Sequence, residues 1–167
     1  PVVHSRLNAG LNVEGNMTDG IRVRGAIRLP GARLTGSALK GDEPDFGDIA
    51  VLIDALCAAD RVEIAHIMLQ SGFANMKVSG NLGKTADGAL EASGSVNLAA
   101  LARELPATLG LQEGVELSEG TVVVSGKVAR AAGQTGFEAS AAIDALRGSR
   151  NGEAIAWDAP TRVEVRG

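Results

Sequence analysis

Period-two alternation runs through most of this chain and restricts its fold more than any other feature. In "IRVRGAIRLP", Ile21, Val23, Ile27 and Leu29 fall on one side and Arg22, Arg24 and Arg28 on the other. "FEASAAIDAL" sets Phe137, Ala139, Ala141 and Ile143 against Glu138, Ser140 and Asp144. "RVEIAHIMLQ", "FANMKVSGNL", "GALEASGSVNL", "VELSEGTVVVSGKV" and "TRVEVRG" read the same way. Such alternation makes strands with one buried face.

Three strand pairs read as copies of one hairpin. Val13-Glu14-Gly15-Asn16 leads through Asp19-Gly20 to Gly25-Ala26-Ile27, and Val78-Ser79-Gly80-Asn81 through Asp87-Gly88 to Gly94-Ser95-Val96. Val124-Ser125-Gly126-Lys127 leads past Gly136 to Ala141-Ala142-Ile143. Repetition at this level marks an array of similar strand pairs. Asn151-Gly152 adds a two-residue hairpin signal.

Two segments break the pattern with helical spacing. "GDIAVLIDALCAAD" has Asp48 in capping position and apolar residues at Ile49, Leu52, Ile53 and Leu56. "NLAALARELP" opens at Asn97, places Leu98, Leu101 and Leu105 on one side, and closes at Pro106. Both are short for free helices and are expected to pack on a sheet or plug its end. The first contains the one cysteine, Cys57, expected to be a buried, inert thiol. The apolar run from Ile49 to Ala59 is too short to span a bilayer as a helix. The 167 residues read as a single all-β repeat-type domain, and the start at Pro1 reads as a piece excised from a larger protein.

Several functions are disfavoured by residue type and spacing. A net charge of -4 supplies no basic surplus for nucleic acid, and aromatics for stacking bases are only 2% of the chain. Gly83-Lys84-Thr85 ends like a phosphate-binding loop, but Val78 stands where the first glycine must be and a strand follows instead of a helix. No nucleotide is expected there. Asp42, Glu43, Asp45 and Asp48 cluster in "GDEPDFGD" without the spacing of a calcium loop, so a solvated acidic loop is expected. His4 and His66 have no second ligand nearby, and His66 is assigned to the face of Ile64 and Met68 or its edge. Arg22, Arg24 and Arg28, with Arg33 beyond, read as the wet face of a strand, with anionic head groups or a phosphate-bearing partner as the alternative. No catalytic set, cofactor site or metal site emerges, and the chain is not expected to be an enzyme.

The stretch "EASGSVNLAALARELPATLGLQEGVELSEGTVVVSGKV" resembles the AsmA-like, TamB-related proteins of bacterial envelopes. "GEAIAWDAPTRVEVRG" looks like a strand pair from the same arrays, so the resemblance covers residues 60 to 167 best. It implies a long β-groove with an apolar floor for lipid acyl chains, reaching across the periplasm from a membrane-anchored parent chain. It transfers no catalytic residue.

Together these readings predict a mainly β chain of repeated antiparallel hairpins, forming a curved sheet or groove with two short helices; a β-sandwich is the alternative. The predicted lipid-contacting face is Ile21, Val23, Ile27, Val78, Leu90, Val96, Val122, Val124 and Val128. Its expected partners are phospholipid acyl chains and neighbouring β-repeats of the parent chain. A structural or adhesive cell-surface repeat module is the competing function.

Overall fold

The structure, a computed structural model, describes residues 2–16, 19–84, 87–131, 133–157, 159 and 161–167. The order is β1 (Val2–His4), β2 (Asn8–Asn16), β3 (Gly20–Leu29), β4 (Arg33–Thr35), a 3-10 turn (Ser37–Leu39), β5 (Ile49–Cys57), β6 (Arg61–Gln70), β7 (Ala74–Gly83) and β8 (Gly88–Asn97). Helix α1 (Leu98–Glu104) follows, then β9 (Val115–Ala131), β10 (Gln134–Arg150), β11 (Glu153–Trp157) and β12 (Thr161–Arg166). The chain is mainly β and antiparallel, as the alternation predicts.

Ten strands form one sheet in the order β2-β3-β5-β6-β7-β8-β9-β10-β11, with β12 also pairing to β10. Each strand lies beside its predecessor in this series, so the sheet is a meander built of hairpins. The three repeated motifs are the hairpins β2–β3, β7–β8 and β9–β10. Asn151 and Gly152 form the tight turn between β10 and β11, both at positive φ (53° and 84°), as a primed two-residue turn requires. The sheet is large and open, and is not curled on itself. The expected groove is therefore met in part, as an open sheet that does not curl over its own face. Among the described residues no second sheet covers its face either; the other sheet is the two-stranded β1–β4 pair. Eight inter-strand steps of about 4.8 Å make it about 40 Å wide.

The helix expected from Asp48 onward is strand β5. Ile49 to Cys57 is apolar at most positions, so it fits a helical stripe and also a period of two. Pairing decides between them: β5 bonds β3 on one side and β6 on the other along its whole length. Tertiary hydrogen bonding overrides the local pattern. Asp48 caps no helix; its carboxylate accepts the Gly31 N–H at 3.1 Å. Cys57, at the strand's end, is exposed rather than buried.

The second predicted helix forms as α1. The Asn97 side chain caps it by accepting the Ala100 N–H at 2.9 Å. It lies at the end of β9, where Leu98 packs over Gly120. The predicted face is shifted: Ala99, Ala102 and Leu105 are buried, while Leu98 and Leu101 are half-buried. Arg103 is exposed, while Glu104 is half-buried and its carboxylate accepts the Asp45 N–H at 2.9 Å. The loop before β5 docks on this end, with Phe46 against Phe73 at 4.7 Å between ring centroids. Ala32, Leu39 and Pro44 of that loop are buried too.

Among the described residues, the buried hydrophobic side chains therefore gather at the α1 end of the sheet. Leu105→Ala should cost about 2 to 4 kcal/mol by urea unfolding, and Arg103→Ala no more than about 0.5 kcal/mol. Equal losses from the two would contradict this helical register.

Candidate functional site: the apolar face of the sheet

Residues directly opposed in neighbouring strands share a face, so the registers carry one side of the sheet from edge to edge. Val13 opposes Val23, and Val23 opposes Ala55. Ile53 opposes Ile67, which opposes Val78. Val78 meets Ala92, and Gly80 meets Leu90. Leu90, Gly94 and Val96 meet Val128, Val124 and Val122. These meet Phe137, Ala141 and Ile143, and Ala141 meets Val163 of β12.

All nine predicted residues stand on this one face: Ile21, Val23, Ile27, Val78, Leu90, Val96, Val122, Val124 and Val128. The registers add Leu11, Ile53, Ile67, Leu69, Val163 and Val165. Two things hid Ile53, Ile67 and Leu69 from a reading of strand periodicity alone. β5 mimics a helix, and an irregularity in β6 between Ile64 and Ile67 flips the alternation. That flip also separates His66 from Ile64. His66 shares the opposite face with Met68 and stands across from Asp54.

The apolar face is uncovered. Leu11 is 47% exposed, Phe137 47% and Val163 58%, with Val13, Met76, Val128 and Val165 also exposed. The chain exposes 10713 Å², against about 7,700 Å² for a compact protein of its size. A continuous uncovered patch this large is the mark of an interaction surface.

The opposite face is polar and largely self-neutralised. Asp54 bridges Arg22 at 2.9 Å and Arg24 at 3.1 Å. Partial burial opposes the charge of Asp54, but the Arg22 hydrogen bond and the two guanidinium charges outweigh it and hold the carboxyl below its usual range. Lys127 pairs with Glu91 at 2.9 Å, and Arg166 lies 3.8 Å from Glu138 on the other side of β9. The Ser125 and Ser140 hydroxyls hydrogen-bond at 2.8 Å. The charge row of the polar face is thus used in cross-strand pairing.

The remaining motifs are structural. Lys84 directly follows the last residue of β7, strand β8 begins at Gly88, and Thr85 lies outside the described residues. Among the described residues the element that follows this loop is a strand and not a helix. Three acids of the cluster hold backbone: Asp42 accepts from the Ala107 and Thr108 N–H groups, Asp45 from the Gly47 N–H and Asp48 from the Gly31 N–H, and Asp45 also takes the Arg33 side chain at 2.9 Å. Burial opposes the Asp42 charge, yet the Thr108 and Ala107 hydrogen bonds outweigh it and lower the carboxyl's pKa. Instead of facing solvent freely, this loop clamps the segment after α1. Among the described residues no three His, Cys, Asp or Glu side chains converge as metal ligands. His4 shares a hydrogen bond with Thr35 at 3.0 Å. Among the described residues no helix is long and apolar enough to cross a membrane, which leaves strand-built spans open. No family model, curated protein or solved structure matches this chain.

Proposed function

We propose that this chain is a non-enzymatic lipid-handling segment of a bacterial envelope protein, its apolar sheet face a bed for acyl chains. The observation that carries this reading is the single uncovered aliphatic face running from β2 to β12. Val, Ile, Leu and Ala bury alkyl chains without stranding hydrogen bonds. Covering about 300 Å² of such surface contributes roughly 7 kcal/mol before ordering costs. A face rich in small aliphatics also lacks the deep, shaped pockets that would hold a rigid ligand. The periplasmic setting, a membrane-anchored parent and a role in lipid transport and outer-membrane integrity rest on the resemblance to AsmA-like, TamB-related proteins. Neighbouring β-repeats would extend the same face.

The test places a photo-crosslinking residue at Val124, with Ser125 on the polar face as control. The protein is irradiated with vesicles of phosphatidylethanolamine and phosphatidylglycerol. Lipid adducts at Val124 and at Leu90, without adducts at Ser125, are the expected result. No adduct at either apolar position overturns the lipid reading in favour of a structural repeat module.

A further inference from the structure

The apolar face carries one charge among its described, paired strand residues up to Asp144, and that charge is Arg130. It lies one residue from the end of β9, opposite Gly88 on one side and Thr135 on the other. Along β9 its face continues through Val128, Gly126, Val124 and Val122 toward α1. The Arg130 Nε is shielded from solvent and has no hydrogen-bond partner. This contrasts with Arg22, Arg24, Lys127 and Arg166 on the polar face, each beside a carboxylate.

A shielded guanidinium donor without an acceptor is costly. Its placement beside an apolar bed makes sense for a ligand that has both an anion and a hydrocarbon. We propose that Arg130 receives the oxyanion head of an amphiphile whose alkyl chain lies along β9 toward α1. The inference rests on the lipid reading above and adds a head group and a direction to it. Gly88 offers no side chain to obstruct the guanidinium, and Thr135 adds a hydroxyl within the same cross-strand row. From Arg130 to Val122 the strand runs eight residues, about 26 Å at about 3.3 Å per residue, enough for one long acyl chain. The guanidinium presents paired N–H groups suited to phosphate or carboxylate. The opposite end is closed by α1, so the charged head has one place to sit.

Decyl phosphate, decanoate and decyl maltoside, all below their micellar concentrations, are titrated by calorimetry into the wild-type chain, Arg130→Gln and Arg130→Lys. Inorganic phosphate is the fourth ligand, and circular dichroism checks that each variant keeps its strands. The expected result is a roughly tenfold preference of the wild type for the two anionic ligands over the maltoside. Arg130→Gln should lose that preference while holding the maltoside unchanged, and Arg130→Lys should keep most of it. Equal binding of all three amphiphiles by the wild type, or a preference that survives Arg130→Gln, overturns the head-group assignment and leaves the alkyl bed standing. Inorganic phosphate binding as tightly as decyl phosphate overturns it in favour of a free-oxyanion site. Failure of every alkyl ligand, the maltoside included, removes the alkyl bed and the assignment with it.

Discussion

Gly80→Ala is expected to separate β7 from β8 and to destabilise the chain by more than about 3 kcal/mol, among the largest effects a single methyl can have. Gly80 lies in the middle of β7 at a φ of 126°, a conformation that residues with a Cβ rarely adopt. Its missing side chain is also where the β8 backbone passes: an added Cβ would collide with the Ala89 carbonyl oxygen and would itself lie 3.1 Å from the Ala89 carbonyl carbon and 3.1 Å from Leu90 Cα. Both obstacles are backbone, so no rotamer change relieves them. The ladder broken is central, with four strand positions on one side and five on the other. Thermal or urea unfolding of the variant, with Gly72→Ala in an open turn as control, measures it. A Gly80→Ala loss below about 1 kcal/mol would show that the backbone relaxes there.

Val124→Asp is expected to abolish binding of decyl maltoside, at least tenfold, while changing stability by less than about 1 kcal/mol. The reasoning turns on what covers the face. In a closed sandwich, an unpaired carboxylate at Val124 would be stranded in hydrocarbon and would cost several kcal/mol. On an open sheet the same carboxylate stays hydrated, so the fold tolerates it. An alkyl chain laid across it must desolvate the charge, and that penalty falls on binding alone. Ser125→Asp, one residue along on the polar face, should leave binding unchanged. Calorimetry gives the affinity and urea titration the stability. A large stability loss without a change in binding would mean that the face is packed in solution and the alkyl bed is not there.

Much of this architecture was legible in the residues. Strand alternation fixed the strands, the three repeated hairpins fixed neighbour order, and Asn151-Gly152 marked its turn. The apolar face was legible as well, because β3, β7, β8 and β9 each alternate cleanly. β5 was not, since Ile49–Cys57 is apolar on both faces, with only Asp54 to mark the polar one, and nothing local to it records the two partners that make it a strand. The irregularity in β6 has no signal in "RVEIAHIMLQ", because a one-residue slip leaves the composition unchanged. The buried face of α1 lies one position from the leucine stripe, on Ala99 and Ala102, because the helix is held against β9 and β8, contacts that its own spacing does not record. Openness could not be read at all. Alternation reports that a face is apolar and is silent on what lies over it.

The meander order has a further meaning for how the molecule behaves as a material. Each strand touches mainly the strand before it and the strand after it, so cohesion is transmitted along one dimension, as in a solenoid. No central nucleus holds the sheet's two flanks together. Loss of order should spread from a flank inward, like a ribbon fraying, and should stall at the α1 end of β9, where helix and loop add a third dimension. Lengthening such a ribbon by one hairpin adds a link without asking any existing link to change. A trough of almost any reach can therefore be made from one local solution, repeated.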